Sequence, residues 1–133
     1  MNVIKALIVE DNNSIALFQK EFIRQILREL DLPKANYLIE IEHTREEEEA
    51  IRLIKKNNYC LIILDGNLLN GGHGKNVLHA IEQGVFQKII VASMDEDFVK
   101  YCQEKNVRAF LKENFLEAKG ASKEIIKVSL SQN

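Results

Sequence analysis

Cysteine, proline and tryptophan are scarce in this sequence. Among its 133 residues there are two cysteines, one proline and no tryptophan. Cys60 and Cys102 are far apart and lie in apolar or helical contexts, so the sequence offers neither a CxxC metal site nor a disulfide framework. We expect two reduced cysteines that pack in the interior. No linker, repeat or low-complexity segment interrupts the chain, and we expect a single domain over residues 1–133.

An excess of charge of one sign is also missing. The chain carries 18 Lys and Arg against 20 Asp and Glu, and its formal net charge is -2 at pH 7. Without a basic block, direct binding to nucleic acid or to an anionic membrane is disfavoured. Apolar runs stay far below the roughly 18 residues of a membrane span, and the N-terminal MNVIKALIVED turns acidic where a signal peptide turns small and neutral. We expect a soluble, cytoplasmic protein.

Short apolar runs predict five strands. Hydrophobic residues make up 46% of the chain, which is enough for one core. Residues 6–9, 61–64 and 88–92 are continuous runs rich in Ile, Val and Leu, which is typical of parallel strands covered on both faces. Residues 37–43 alternate between apolar and charged side chains, which favours an edge strand with one wetter face. Residues 108–112 complete the set.

Between these strands, apolar residues recur at helical spacing. The first stripe consists of Ile15, Phe18, Phe22, Ile26 and Leu30. Pro33 lies just beyond it as a stop signal, and the spacing from Thr44 to Glu47 predicts a capping box that opens a second helix. Further helices are expected at about 74–84, 95–105 and 115–131. Five repeats of strand and helix predict an α/β protein with a doubly wound, five-stranded parallel sheet in a three-layer sandwich.

The ends of the predicted strands carry the polar residues. In open parallel sheets, ligands bind beyond the carboxyl ends of the strands. There the sequence places Glu10 and Asp11 after the first strand, Asp65 after the third, Ser93 after the fourth and Lys112 after the fifth. Three clustered carboxylates repel one another unless a cation lies among them, and an all-oxygen site suits Mg²⁺. A carboxylate in such a site can attack a phosphoryl group, whose oxygens the lysine and the hydroxyl can then hold.

The segments ALIVEDN, LIILDGN, VAS and AFLK resemble the signature of the response regulator receiver domain, the phosphoacceptor module of two-component signalling. The resemblance covers essentially the whole chain, in order and at compatible spacing, and implies a flavodoxin-like (βα)5 fold. It implies that Asp65 is the phosphoacceptor. The remaining implied roles are Mg²⁺ binding by Glu10, Asp11, Asp65 and the backbone carbonyl of Asn67, a switch hydroxyl at Ser93, and pairing with the phosphoryl group by Lys112.

The resemblance also implies how the protein is used. We expect a stand-alone receiver that is not a classical enzyme but catalyses its own phosphorylation and dephosphorylation. A histidine kinase or phosphotransfer protein would supply the phosphoryl group, and a downstream target would bind the fourth and fifth helices and the fifth strand. Asn67 and Asp95 are at positions that tune the lifetime of the phosphorylated state in the family, and Met94 adds a bulky side chain next to the switch hydroxyl.

Four positions depart from the family pattern. Leu69 replaces the usual proline after the phosphoacceptor, and Glu113 replaces the usual proline after the lysine. Met94 replaces a small residue, which predicts narrower access to Asp65. Ala109 takes the place of the usual aromatic residue of the fifth strand, with Phe110 one place later. The customary aromatic switch is therefore predicted to be altered or missing.

Plainer interpretations remain open for the individual residues. Glu10 with Asp11 fits a polar turn, Asp65 fits a turn with the glycine that follows it, Ser93 fits a helix cap, and Lys112 fits a surface residue. The Glu46–Glu49 run is expected to be a solvated first turn, residues 70–74 a flexible loop, and the histidines His43, His73 and His79 surface residues. Two other functions stay open: a receiver-fold interaction module that takes no phosphate, and a small Mg²⁺-dependent phosphatase of the haloacid dehalogenase type.

Overall fold

The computed structural model describes residues 2–30 and 37–131, so the predicted stop at Pro33 lies outside the described residues. Within these residues the chain forms one five-stranded sheet in which every pairing is parallel. The strands follow in the order β2-β1-β3-β4-β5 across the sheet. Their bounds are β1 Asn2–Val9, β2 Tyr37–Thr44, β3 Leu61–Leu64, β4 Ile89–Ser93 and β5 Arg108–Leu111.

Five α-helices alternate with the strands. Their bounds are α1 Asn13–Glu29, α2 Glu47–Lys56, α3 Gly74–Ala80, α4 Glu96–Glu104 and α5 Lys119–Ser131. Short 3-10 segments cover Leu69–Gly71, Gln83–Lys88 and Lys112–Ala118. The predicted order of strand and helix is confirmed along the described residues, and none of their helices is long and apolar enough to cross a membrane.

The core lies in two layers, one on each face of the sheet. Every residue of β3 and β4 is buried, as their continuous apolar runs predict for strands covered on both sides. Successive side chains of a strand point to opposite faces, so Ile62 and Leu64 pack toward α2, α3 and α4, whereas Leu61 and Ile63 pack toward α1 and α5. β2 lies at the edge of the sheet and is mostly half-buried or exposed, as its alternating pattern predicts. The predicted three-layer sandwich is confirmed.

Some local predictions differ from the structure. The helix predicted to begin with a capping box begins instead at Glu47 with Glu46 as its N-cap, and no side chain caps it. Thr44 belongs to β2, which extends one residue beyond the predicted strand, and its hydroxyl accepts the N–H of Glu46 at 3.3 Å. The helix predicted over 74–84 ends at Ala80 and a 3-10 segment follows. Both cysteines are free and buried, as predicted.

Strand order determines where polar residues meet. β1 lies between β2 and β3, so the chain moves across the sheet in one direction from β1 to β2 and in the opposite direction from β2 to β3, β4 and β5. The connections that leave the carboxyl ends of β1 and β3 therefore separate to opposite faces of the sheet and leave a crevice between them. Glu10 and Asp65 are the residues that follow these two strands.

Candidate functional site

The carboxyl ends of β1, β3 and β5 bring three charged side chains into contact. Nζ of Lys112 lies 2.8 Å from Oδ2 of Asp65 and 2.9 Å from Oε1 of Glu10. Glu10 is fully buried, Asp65 is 3% exposed and the Lys112 side chain is 16% exposed. The half-buried ammonium of Lys112 lies between two buried carboxylates and offsets part of the cost of removing these carboxylates from water. Lys112 is thus a component of the site in this structure, and it is not a free surface lysine.

Asp65 is held at its position by close backbone contacts. The N–H of Gly66 donates to Oδ1 of Asp65 at 2.6 Å, which leaves Oδ2 to Lys112. The N–H of Asp65 itself donates to the carbonyl of Val9, so the residue is anchored to β1. A Cβ atom on Gly74 would lie only 2.2 Å from the carbonyl oxygen of Asp65. The backbone of α3 therefore approaches Asp65 more closely than any residue with a side chain permits.

Glu10 is a buried acid with incomplete hydrogen bonding. Burial is the main cause that raises the pKa of Glu10 to about 7; Lys112 opposes this shift and the charge of Asp65 adds to it. Oε2 accepts the N–H of Asn12 at 3.1 Å. Oε1 has an ion pair with Lys112 but lacks a partner with hydrogen-bond geometry. Oε1 therefore retains lone pairs for a further cation.

The acidic residues at this edge fit a divalent cation. Glu10, Asp11 and Asp65 each offer a carboxylate oxygen, and these three oxygens lie within 4.8 Å of one another. Oxygen ligands of this kind, together with a buried and incompletely paired Glu10, suit Mg²⁺. Asn67, whose carbonyl is a further predicted ligand, is exposed two residues after Asp65. The structure thus brings together the carboxylates that the sequence assigned to the metal.

Side chains of β2 and the loop after it hold the backbone of this acidic pair. Nε2 of His43 lies 2.7 Å from the carbonyl oxygen of Glu10, and Nε of Arg45 donates to the carbonyl of Asp11 at 2.9 Å. The carbonyl of Arg45 also accepts the N–H of Leu69 at 2.9 Å. His43 is half-buried, not the surface residue that the sequence predicted. The loops that follow β1 and β3 are therefore connected through the loop that follows β2.

Lys112 is held in its charged form by its partners. Burial alone would lower the pKa of Lys112, but the hydrogen bond to Asp65 and the contact with Glu10 outweigh burial and raise the pKa. The ammonium group is a fixed positive charge beside Asp65. Such a charge can stabilise negative oxygens that arrive next to the carboxylate.

Ser93 ends β4, and Met94 and Asp95 connect this strand to α4. Ser93 is fully buried and its Oγ accepts the N–H of Asp95 at 3.1 Å. Asp95, not Ser93, caps α4, because its Oδ1 accepts the N–H of Phe98 at 3.1 Å. Met94 is 76% exposed and lines a cavity of about 540 Å³ together with Phe18 and Lys112. The predicted helix-cap interpretation of Ser93 is therefore wrong.

Sequence reasoning missed two residues that shape the site. Glu47, expected to form a capping box with Thr44 in a solvated first turn, instead accepts hydrogen bonds from the backbone N–H of His73 and the side chain of Asn76, both at 2.8 Å. Phe98 packs its ring against the backbone of Gly66 and Gly74. A glycine at each of these two positions was a signal of close approach, but the sequence could not indicate which ring fills the space.

The loop expected to be flexible is hydrogen-bonded in this structure. The N–H of Gly74 donates to the carbonyl of Gly66 at 2.8 Å, and the N–H of Leu68 donates to the carbonyl of Gly72 at 2.9 Å. Gly71 has φ of 78°, in the left-handed region that favours glycine. His73 caps α3 by accepting the N–H of Lys75 through Nδ1 at 3.0 Å. Whether the loop moves in solution stays a prediction.

Comparison with known proteins gives matches of structure alone. No family model and no curated protein sequence matches the chain. The chain is similar to the receiver domain of the Francisella response regulator 1452, with 18% identity, 94% of this chain and 98% of that chain covered, and a TM-score of 0.68. It is similar to the PhyR response regulator REC domain of Erythrobacter litoralis, with 16% identity, 98% and 92% coverage and a TM-score of 0.66.

A third structure that the chain resembles is a complex with Mg²⁺ and BeF. It is the response regulator protein TrrA of Thermotoga maritima in complex with Mg²⁺ and BeF, with 23% identity, 92% of this chain and 98% of that chain covered, and a TM-score of 0.65. Each of these three structures covers at least 92% of this chain. The chain therefore has the fold of the response regulator receiver domains, a flavodoxin-like five-stranded α/β sandwich.

Proposed function

We propose that this chain is a phosphorylatable receiver in which Asp65 accepts a phosphoryl group and thereby changes the binding of a downstream target. A histidine kinase or phosphotransfer protein is the proposed donor. The observation that carries the proposal is the contact of Lys112 with both Asp65 and Glu10 at the carboxyl edge of the sheet. Since a purely structural carboxylate gains little from a second buried acid beside it, this arrangement supports chemistry on a negatively charged group.

Transfer of the phosphoryl group to Asp65 needs no reactant besides the donor. An oxygen of the Asp65 carboxylate attacks the phosphorus, a new O–P bond forms, and the bond between phosphorus and the donor atom breaks with its electron pair leaving on the donor. Lys112 would turn its ammonium from the carboxylate oxygen toward the phosphoryl oxygens. Ser93, buried at the end of β4, is the proposed donor of a hydrogen bond to the same oxygens.

Mg²⁺ fits the carboxylates of Glu10, Asp11 and Asp65, with the carbonyl of Asn67 as a fourth proposed ligand. When bound, Mg²⁺ would neutralise the charge that the carboxylates and the phosphoryl oxygens bring together. Neighbouring residues already hold the proposed ligands in position. Asn12, His43 and Arg45 hold the backbone or the side chain of the acidic pair in place.

The two other functions are less well supported. A haloacid dehalogenase phosphatase would be expected to bear its nucleophile on the first strand, whereas Asp65 follows β3. A receiver-fold module that takes no phosphate would leave the contact between Lys112 and Asp65 unused. Met94, the feature that predicted narrower access, exposes 76% of its surface in this structure.

Labelling tests the proposal directly. The purified protein, incubated with acetyl phosphate and Mg²⁺, should gain the mass of one phosphoryl group, and hydroxylamine should remove it. Asp65→Asn should abolish the gain because the amide is a poor nucleophile. Asp97→Asn, a change to an exposed acid of α4, should label like the parent.

The outcomes separate the three functions. Absence of any gain in the parent protein would favour the interaction module. Continuous turnover of a general phosphatase substrate, without a saturable label, would favour the phosphatase. Full labelling of Asp65→Asn would move the phosphoacceptor to another residue.

A further inference from the structure

Phe98 occupies the space beside the phosphoacceptor loop that the fifth strand leaves open. On β5, Ala109 packs into the core layer under α2, α3 and α4, whereas Phe110 packs against the layer under α1 and α5. Adjacent residues of a strand point to opposite faces, so Phe110 does not substitute for an aromatic side chain at Ala109. Phe98 of α4 belongs to the same layer as Ala109 and is 4% exposed. The aromatic ring near the site therefore comes from α4.

Phe98 contacts the backbone that surrounds Asp65. A Cβ atom built on Gly66 would lie 2.8 Å from Cδ2 of Phe98 and 2.9 Å from Oγ of Ser93. On Gly74 it would lie 3.2 Å from Cζ of Phe98. The ring is thus packed against the glycine that donates to Asp65, against the first residue of α3, and close to Ser93. A shift of any of these groups cannot occur without moving the ring, because packed interiors have little free space.

From Phe98 a row of aromatic side chains leads to the surface. The ring centroid of His73 lies 4.9 Å from that of Phe98 in an edge-to-face arrangement, and Tyr101 lies 6.4 Å away with an angle of 18° between the planes. The hydroxyl of Tyr101 is 2.8 Å from Nε2 of His79 on α3. Nζ of Lys75, also on α3, lies 4.4 Å from the centre of the Tyr101 ring. This row of aromatic side chains connects the site to α3 and to α4.

Hydrogen bonds connect Ser93 to the same ring through the backbone. Oγ of Ser93 accepts the N–H of Asp95, and Oδ1 of Asp95 accepts the N–H of Phe98. If Ser93 turns toward a phosphoryl group on Asp65, the first of these bonds changes, and the first turn of α4 with Phe98 has to follow. The packing contacts with Gly66 and Gly74 and the hydrogen bonds from Ser93 through Asp95 therefore both connect the site to Phe98.

We propose that Phe98, through His73 and Tyr101, transmits the state of Asp65 to the face formed by α3 and α4. This face, defined here by Lys75, His79, Tyr101 and Lys105, is the part of the surface that changes on phosphorylation, in place of the face formed by β5 and α5. Phe98 is a coupling residue and does not touch the reacting atoms. The proposal rests on the proposed function, because it requires a phosphoryl group on Asp65.

The three tyrosines of the chain allow a direct test. They are Tyr37, Tyr59 and Tyr101. Tyr37 begins β2 and Tyr59 lies two residues before β3, so both are at the amino edge of the sheet, opposite the site. The protein labelled with 3-fluorotyrosine should give three fluorine NMR signals, and the variant Tyr101→Phe identifies the signal of Tyr101. With acetyl phosphate in excess and Mg²⁺ present, the signal of Tyr101 should shift by more than its line width, while the other two signals stay in place.

Two matched variants test the role of the ring. Phe98→Leu should keep the mass gain at Asp65 and lose most of the Tyr101 shift, because leucine cannot contact Gly66, His73 and Tyr101 at once. Phe110→Leu makes the same change on the other face of the sheet. It should keep both the mass gain at Asp65 and the shift of the Tyr101 signal. Unchanged Tyr37 and Tyr59 signals in each variant before phosphorylation will show that the fold is intact.

The outcomes distinguish this proposal from the proposed function. A mass gain in the parent protein with no movement of the Tyr101 signal would overturn the coupling and leave the receiver function in place. An undiminished Tyr101 shift in Phe98→Leu, or a loss of the shift in Phe110→Leu, would also overturn it. Absence of both label and shift in the parent would overturn the two proposals together.

Discussion

Glu47 connects the first turn of α2 to the segment that precedes α3. Its Oε1 accepts the N–H of His73 and the side-chain N–H of Asn76, and these two hydrogen bonds lower the pKa of Glu47. His73 in turn packs against Phe98 and bridges to Asn67. One glutamate at the surface therefore restrains the loop that carries a proposed metal ligand.

The lowered pKa of Glu47 predicts a pH dependence of stability. A carboxyl group whose pKa is depressed in the folded protein contributes stability above the pKa of the unfolded chain and loses it as pH falls through the folded value. The difference in free energy of unfolding between the parent and Glu47→Gln should be positive at neutral pH and shrink as pH falls below about 4.5. Urea titrations at a series of pH values measure this difference.

The matched control for this prediction is Glu48→Gln. Glu48 lies in the same turn, is exposed, and makes no hydrogen bond to His73 or Asn76. Its replacement should lower the free energy of unfolding at neutral pH less than Glu47→Gln does, because it removes no hydrogen bond to the segment before α3. An equal loss of stability in the two variants would mean that the hydrogen bonds of Glu47 contribute nothing specific.

Asn67 and Asp95 remain the predicted determinants of the lifetime of a phosphorylated state. Asn67 is exposed beside the crevice, so a larger basic side chain there could hinder the water that attacks phosphorus. Replacing Asn67 with lysine should slow the loss of label several-fold. Asp95 also caps α4, so its carboxylate has to be removed without losing the cap. Asp95→Ser does this, because serine keeps a capping oxygen.

The measurement is the decay of phosphorylated protein after the donor is removed, at fixed Mg²⁺ and pH. Asp97→Asn, which also raises the net charge by one unit at an exposed position of α4, controls for the change in charge. If Asn67→Lys decays as fast as the parent, the lifetime is set by Lys112, the metal and the backbone.

At the scale of elements, the approach of α3 to β3 depends on Gly74. A Cβ atom at this position would meet the carbonyl oxygen of Asp65 at 2.2 Å, so α3 has to move away if any side chain is added. Overpacking of this kind costs about 1–3 kcal/mol. Gly74→Ala should therefore lower the free energy of unfolding by that amount and also reduce labelling of Asp65, as thermal unfolding and mass measurements will show.

Gly120 supplies the matched control for this prediction. It lies in α5 with no atom within 4 Å of its added Cβ, and alanine at a helical glycine gains about 0.5–1 kcal/mol. Gly120→Ala should therefore raise stability and leave labelling unchanged. Equal destabilisation by the two substitutions would contradict the close approach at Asp65.

At the scale of the whole molecule, the acidic site predicts that Mg²⁺ stabilises the fold. A ligand that binds only the folded chain adds about 2.7 kcal/mol when its concentration is about 100 times its Kd. The melting temperature should rise with Mg²⁺, and Asp11→Ala should remove most of the rise because it removes one of three carboxylates. Asp97→Ala is the control, and an unchanged Mg²⁺ response in Asp11→Ala would count against the site.

The order of elements across the whole molecule followed from local patterns. Continuous apolar runs identify β3 and β4 because a strand covered on both faces has no polar side. The alternation along residues 37–43 identifies β2 as the edge because only one of its faces is well covered. Boundaries were less accurate. β1 begins at Asn2 and not at residue 6, since pairing with β2 extends it beyond its apolar run.

The sequence by itself determined the fold class, the alternation of strands and helices, and the set of polar residues at the strand ends. These follow from periodicity and from the rule that parallel strands present their carboxyl ends at one edge. It could not determine which atoms meet there. Thr44 and Glu47 show why, because the same spacing that predicts a capping box instead places Thr44 in β2 and sends the Glu47 carboxylate to His73.

Only the tertiary structure decided the contacts between elements distant in the chain. Lys112 meets Asp65 across 47 positions of sequence, and Phe98 meets Gly66 and Gly74 because α4 and α3 pack on the same face of the sheet. Such contacts depend on the relative placement of whole helices and strands, which is set by the summed packing of the core. A local pattern records the propensity of a segment but not the neighbours that packing brings to it.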